Sequence, residues 1–138
     1  MSGTIAWRSL VRQFEFQKVY AEGAKKVGRT LVVYLLPATD TARAVVASRK
    51  VGGAVQRNRA KRVLREAFRT GTLGRAASVS GISQRLAGVV APVTGAPAPA
   101  QGLWVVLVAR RAILAAGTAE VRDEMDRLLR ALLDDPRD

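Results

Sequence analysis

RAVVASRKVGGAVQRNRAKRVLREAFR, residues 43–69, changes its periodicity once, at Gly52-Gly53, and that change decides the fold. Before it, residues 43–48 are short, apolar and β-branched, which predicts a strand. After it, Ala60, Val63, Leu64, Ala67 and Phe68 recur at i, i+3, i+4, i+7 and i+8. That is one apolar stripe of an α-helix over 57–69. Further on, residues 103–109 (LWVVLVA) are apolar almost throughout and predict a covered, central strand. Strand, helix and strand make a β-α-β crossover.

Working outward, residues 9–22 (SLVRQFEFQKVYAE) carry a mainly helical apolar pattern, with Ser9 as a possible N-cap and Gly23 as the stop. Residues 30–36 (TLVVYLL) predict a strand closed by Pro37, and 38–41 a turn. Strands 30–36 and 43–48 are expected to pair as an antiparallel hairpin. A last helix runs from Thr118 to about residue 133, with Val121, Met125, Leu128, Leu129 and Leu132 on one face. Residues 70–102 hold six of the twelve glycines and three of the five prolines, and no acid or aromatic. They predict a flexible Gly/Ala/Pro-rich insertion over about 71–102, extended at 95–102, with room for a short helix near 82–90. The whole is an α/β (α+β) two-layer sandwich with a small mixed sheet, one domain over residues 1–138.

The net charge of +12 points to an anionic partner, nucleic acid first and an acidic membrane surface second. Residues 49–69 carry eight bases against Glu66 alone, whereas residues 103–138 carry six bases against seven acids. The excess is therefore local. Eighteen of the 23 bases are Arg, whose planar fork suits phosphate and base edges. Histidine and cysteine are absent, which removes the commonest general base, nucleophile and metal ligands. No catalytic residue and no metal ligand is expected from this chain. No apolar run reaches 18 residues, and Arg8, Arg12 and Glu15 interrupt any secretory core, so a cytoplasmic protein with no membrane contact is expected.

Arg57, Arg59, Lys61, Arg62 and Arg65 can contact phosphates from one helix. Asn58 can bond to a base edge or sugar, or cap the helix start, as can Gln56 less well. Ser48, Arg49 and Lys50 leave the strand through a glycine loop whose backbone N–H groups can bind phosphate. Phe16, Tyr20 and Tyr34 serve equally well as stacking surface or as core; Phe14 is read as core.

The segment from residue 47 to 69, with its strand, SRKVGGAV loop, RNR triplet and KRVLREAFR helix, resembles the bacterial ribonuclease P protein subunit family. EFQKVYAEG at 15–23, LVVYLLP at 31–37 and VVLVARR at 105–111 are similar to that family's first helix, first strand and last strand. The resemblance covers about 100 of the 138 residues. It implies a ribosomal protein S5 domain 2-like fold with a left-handed crossover. It implies that Arg57, Asn58, Arg59, Lys61, Arg62 and Arg65 face a catalytic RNA, in a complex of one protein and one RNA. Phe16, Tyr20, Tyr34, Ser48, Arg49 and Lys50 would hold the 5′ leader of precursor tRNA. Catalysis would belong to the RNA and its Mg²⁺. One departure is plain: about 30 residues separate the RNR helix from the next strand, and Gly102-Leu103 stand where the family usually has an Asp. The insertion is expected either to be a linker or to touch RNA through Arg75 and Arg85.

Overall fold

The computed structural model describes residues 7–87 and 102–134. In chain order the elements are β1 (Arg8–Ser9), α1 (Gln13–Glu22), β2 (Ala24–Val27), β3 (Leu31–Ala38), β4 (Ala42–Val46), α2 (Ala54–Thr70), α3 (Ala76–Ala87), β5 (Gly102–Ala109) and α4 (Thr118–Asp134). The five strands form one mixed sheet in the order β1-β4-β5-β3-β2. Helices α2, α3 and α4 cover one face, and the short α1 lies across part of the other.

The crossover is as expected, since β4 and β5 are parallel neighbours with Ala42 opposite Trp104 and Val46 opposite Val108. The hairpin is not. β5 inserts between β3 and β4 and runs antiparallel to β3 from Leu31↔Ala109 to Ala38↔Gly102. The link between β3 and β4 therefore crosses the start of β5. A Cβ on Gly102 would lie 2.1 Å from the Asp40 carbonyl oxygen, so the crossing closes only because residue 102 has no side chain. The departure at Gly102 noted in the sequence thus fits the close path of the β3–β4 link in this chain. The true hairpin partner of β3 is β2, whose AKKV sequence gives no strand signal; Lys25 lies opposite Tyr34 and Val27 opposite Val32. β3 also continues through Pro37, where β2 has ended and only β5 is a neighbour, a position that tolerates a missing N–H.

Helix α1 begins four residues later than the sequence suggests. Ser9 is not its cap but pairs with Arg43 in β1. The start is fixed from inside the helix, where the Glu15 carboxylate accepts the backbone N–H groups of Val11 and Arg12, each at 3.3 Å. Arg8 then ties three elements together, donating to Glu15 at 2.9 Å and to Asp40 at 2.7 Å. The Trp104 indole N–H also donates to Asp40, at 2.7 Å. Phe14, read as core, is 56% exposed, because the buried side of α1 is set by Glu15 and Val19.

The insertion is corrected in its first half. After a 3-10 turn at Thr72–Gly74, residues 76–87 form α3, with Val79, Ile82 and Leu86 buried in the main core beside Leu73. Arg85 donates to the Leu133 carbonyl at the end of α4, so it serves the fold. Arg75 is exposed. Residues 88–101, including most of the stretch expected to be extended, lie outside the described residues. The apolar stripe of α4 is buried as predicted, and Glu124 fastens that helix to the β2–β3 turn by accepting the N–H groups of Arg29 (2.7 Å) and Thr30 (2.9 Å).

Burial pushes the carboxyls of Glu15, Asp40 and Glu124 upward, but their hydrogen bonds outweigh it and hold all three below the usual carboxylate range. Arg8 is the main opposing partner for the first two, and the Thr30 hydroxyl for the third. A carboxyl depressed in the folded state adds stability above its unfolded value, about pH 4, and that stability is lost as pH falls through the folded value. The thermal midpoint is expected to stay level from about pH 7 to 5 and to fall steadily below about pH 4. In the variant Glu124→Gln the acid limb should be shallower; an identical limb would contradict this assignment.

Candidate nucleic-acid interface

The face of the sheet opposite α2 carries the second, smaller core: Leu10, Val19, Leu36, Ala38, Ala42, Trp104 and Val106. Helix α1 has ten residues, about 15 Å of length, so it covers only the end of this face where Leu36 and Trp104 lie. Tyr34, Val46 and Val108 on the sheet, and Phe16 on α1, are only half-buried. Phe16 and Tyr20 stand one helical turn apart on α1, and Tyr34 projects from the middle of β3 to meet them. The three rings form a row, with Phe16–Tyr20 centroids 6.4 Å apart and Tyr20–Tyr34 centroids 4.9 Å apart, edge to face. Tyr20 is 42% exposed, and burial together with the neighbouring Tyr34 pushes its phenol upward, so it stays a neutral donor near neutral pH. The Lys25 ammonium lies 5.7 Å from the Tyr34 ring centroid, a cation the sequence reading missed because β2 was missed.

Ser48, Arg49 and Lys50 are exposed in the loop that follows β4. Register places them at the other end of the open face. Tyr34 is level with Val106 and so with Ala44, four residues or roughly 13 Å of strand before Ser48. The loop's N–H groups are largely spoken for. Val51 donates to the Ser48 carbonyl at 3.0 Å, Lys50 to the Ser48 hydroxyl at 3.3 Å, and Gly53 to Gln56 at 2.8 Å. The expected phosphate cradle of backbone N–H groups is therefore not available at those three residues. Gly52 adopts φ +150°, and a Cβ there would meet the Gln56 amide at 2.0 Å, so the turn needs glycine.

Helix α2 starts at Ala54, one turn before the RNR triplet. Gln56 reaches back to the helix start, and Asn58 is exposed in the second turn, so the cap is Gln56 and not Asn58. Arg57 donates to the Gly52 carbonyl at 3.0 Å and is partly committed to holding the loop. At 100° per residue, Arg57 and Arg59 lie roughly 160° apart around the axis. From Arg57 the side chains run round the helix through Lys61, Arg65, Asn58 and Arg62 to Arg59, which lies one turn from Arg62 and beside Val63. The six residues read from the sequence as one group thus span an arc of roughly 200°, with Arg57 and Arg59 at its two edges.

Tyr34→Ala removes the sheet-borne end of the ring row and should weaken binding of single-stranded RNA by about 1–3 kcal/mol, while binding of duplex RNA to the basic flank is unchanged. Fluorescence anisotropy with both probes checks this; equal losses would show that the ring supports the fold and not a strand.

The surface so built contains cations, rings and an amide, and none of its residues is a carboxylate. Among the described residues no group of three potential metal ligands comes together. No described helix is long and apolar enough to cross a membrane.

Comparison with known proteins falls on the same elements. The sequence model of the family described as Ribonuclease P matches residues 7–78, which contain α1, the aromatic row and all of α2. The ribonuclease P protein component of Symbiobacterium thermophilum is 34% identical over 122 residues, covering 86% of this chain and 85% of that protein. That of Dehalococcoides mccartyi is 44% identical over 63 residues, so the matched part spans only about half of that relative, 52% of its length. Among solved structures, the ribonuclease P proteins of Staphylococcus aureus and Thermotoga maritima superpose with TM-scores of 0.59 and 0.58. They are 19% and 20% identical, with 91% and 89% of this chain covered and 95% and 96% of theirs. At that identity the superposition speaks for the fold.

Proposed function

The chain belongs to the bacterial ribonuclease P protein family, and on that premise we propose that it is the RNA-binding subunit of ribonuclease P. It assists a catalytic RNA in cutting the 5′ leader from precursor tRNA. The observation that carries this reading is the pairing of a ring row, Phe16 and Tyr20 on α1 with Tyr34 on β3, with the basic face of α2 on the same small domain.

The two surfaces divide the work. Arg57, Asn58, Arg59, Lys61, Arg62 and Arg65 neutralise phosphates of the RNA subunit and fix its position. The ring row, with Ser48, Arg49 and Lys50 at the far end of the face, holds the unpaired leader by stacking and charge. On this reading Mg²⁺ would be held by the RNA, where it would supply the activated water of phosphodiester hydrolysis. The protein holds substrate against that centre and screens the repulsion between two polyanions. One protein per RNA and a cytoplasmic setting follow from the same role.

The test is affinity of the assembled complex for precursor tRNA with its leader against mature tRNA. Tighter binding of the leader-bearing form, lost in Tyr34→Ala, supports the reading. Equal affinity would leave a protein that only scaffolds structured RNA.

A further inference from the structure

At the rim of the sheet, between the ring row and the helix flank, lies an open cavity of about 180 Å³ lined by Ser9, Leu10, Phe16, Arg43, Ala44, Val45 and Arg65. Two arginines line it, Arg43 from β4 and Arg65 from α2. Among the described residues neither has an acidic partner, although Arg8, Lys18, Arg29, Arg69, Arg122 and Arg127 all do. Arg43 is half-buried, and its guanidinium carbon sits 5.1 Å from the centroid of the buried Phe68 ring, which Trp7 braces edge-on at 4.9 Å. Burial first, and the charge of Arg65 second, lower its pKa below the usual arginine value. Arg65 itself is exposed, but its charge set beside the half-buried Arg43 is costly unless an anion answers both. At about 30 Å³ per water the cavity has room for roughly six waters, or for a phosphate group with part of its shell.

We propose that the Arg43–Arg65 cavity binds one phosphate group, either free inorganic phosphate or a phosphodiester of an RNA strand turning over the edge of the sheet. Guanidinium forks from two elements converge on a tetrahedral anion, and the Ser9 hydroxyl lies at the same cavity wall. Arg43 lies outside both groups of residues assigned above, and Arg65 then faces the edge of β4 and not only the RNA subunit. The RNA source rests on the function proposed above; the affinity for phosphate does not.

The experiment titrates inorganic phosphate into the full chain at fixed ionic strength, with chloride as reference, and follows the arginine Nε–Hε NMR signals. Arg43 and Arg65 should shift together and saturate with one dissociation constant. Arg43→Gln or Arg65→Gln should weaken that constant by roughly tenfold or more, and Arg43→Lys should restore part of it. Arg122→Gln, on α4, should change nothing. Shifts that never saturate and appear equally at Arg122 would reduce the effect to charge screening and overturn the proposal, as would saturation that survives Arg43→Gln. Adding a single-stranded RNA hexanucleotide separates the sources, because competitive loss of the phosphate signal assigns the site to RNA and independent binding assigns it to free phosphate. A chain that binds phosphate here but fails to assist leader cleavage would refute the function and leave the cavity's role intact.

Discussion

Removing residues 74–100 leaves a chain that does not fold cooperatively at 37 °C. The segment resembles a linker in composition, yet Val79, Ile82 and Leu86 of α3 sit in the main core with relative exposures of 3%, 6% and 1%. Truncating a buried Leu or Ile to Ala costs about 2–5 kcal/mol, and a domain of this size has only about 5–15 kcal/mol in total. Losing three such side chains together therefore consumes most of the stability. Because a deletion also alters chain closure, the double substitution Ile82→Ala with Leu86→Ala is the cleaner form. It should lower the unfolding free energy by about 4–10 kcal/mol in urea titration followed by circular dichroism. A midpoint unchanged in both variants would mean that α3 rides on the surface.

Arg57→Ala combined with Arg59→Ala is expected to weaken binding to the RNA subunit by roughly 2–4 kcal/mol, about 30- to 1000-fold. Each guanidinium is counted as one charge-assisted hydrogen-bonding group. The structure refines how the loss is divided. Arg57 also holds the Gly52 carbonyl, so its removal loosens the Ser48–Gly53 loop as well as the contact, whereas the exposed Arg59 acts on RNA alone. The single variants should therefore differ in their side effects. Arg57→Ala lowers leader affinity too, and Arg59→Ala leaves it intact. The salt dependence of RNA-subunit binding should flatten in both, since each removes a phosphate contact. Filter binding across a salt series reads all of these, and unchanged affinity in the double variant would contradict the placement of RNA on this helix.

What the sequence conveyed and what it withheld divide along physical lines. Helices α2 and α4 were legible because their stripes are complete, with Ala60, Leu64, Ala67 and Phe68 buried in one and Val121, Met125, Leu128, Leu129 and Leu132 in the other. Strand order was not, because β3 and β5 are apolar on both faces and sequence proximity favoured a hairpin that the sheet does not use. The hidden clue was Gly102, the one residue that lets the β3–β4 link pass over β5. In α3 the pattern at Val79, Ile82 and Leu86 was present but diluted by small residues and a nearby Pro-rich tract. For the interface, charge density alone located the basic helix. The ring row needed tertiary structure, since spacing on α1 cannot show that Tyr34 meets Tyr20. Arg43 was read only as part of a strand, and its place beside Arg65 depends on how α2 crosses the sheet.

The most direct measurement is cleavage of a precursor tRNA at low Mg²⁺ by a bacterial ribonuclease P RNA alone, by this protein alone, and by the two together. The account predicts efficient release of the 5′ leader by the pair and by neither component separately under those conditions. Cleavage by the protein alone, or no gain when it joins the RNA, would contradict it.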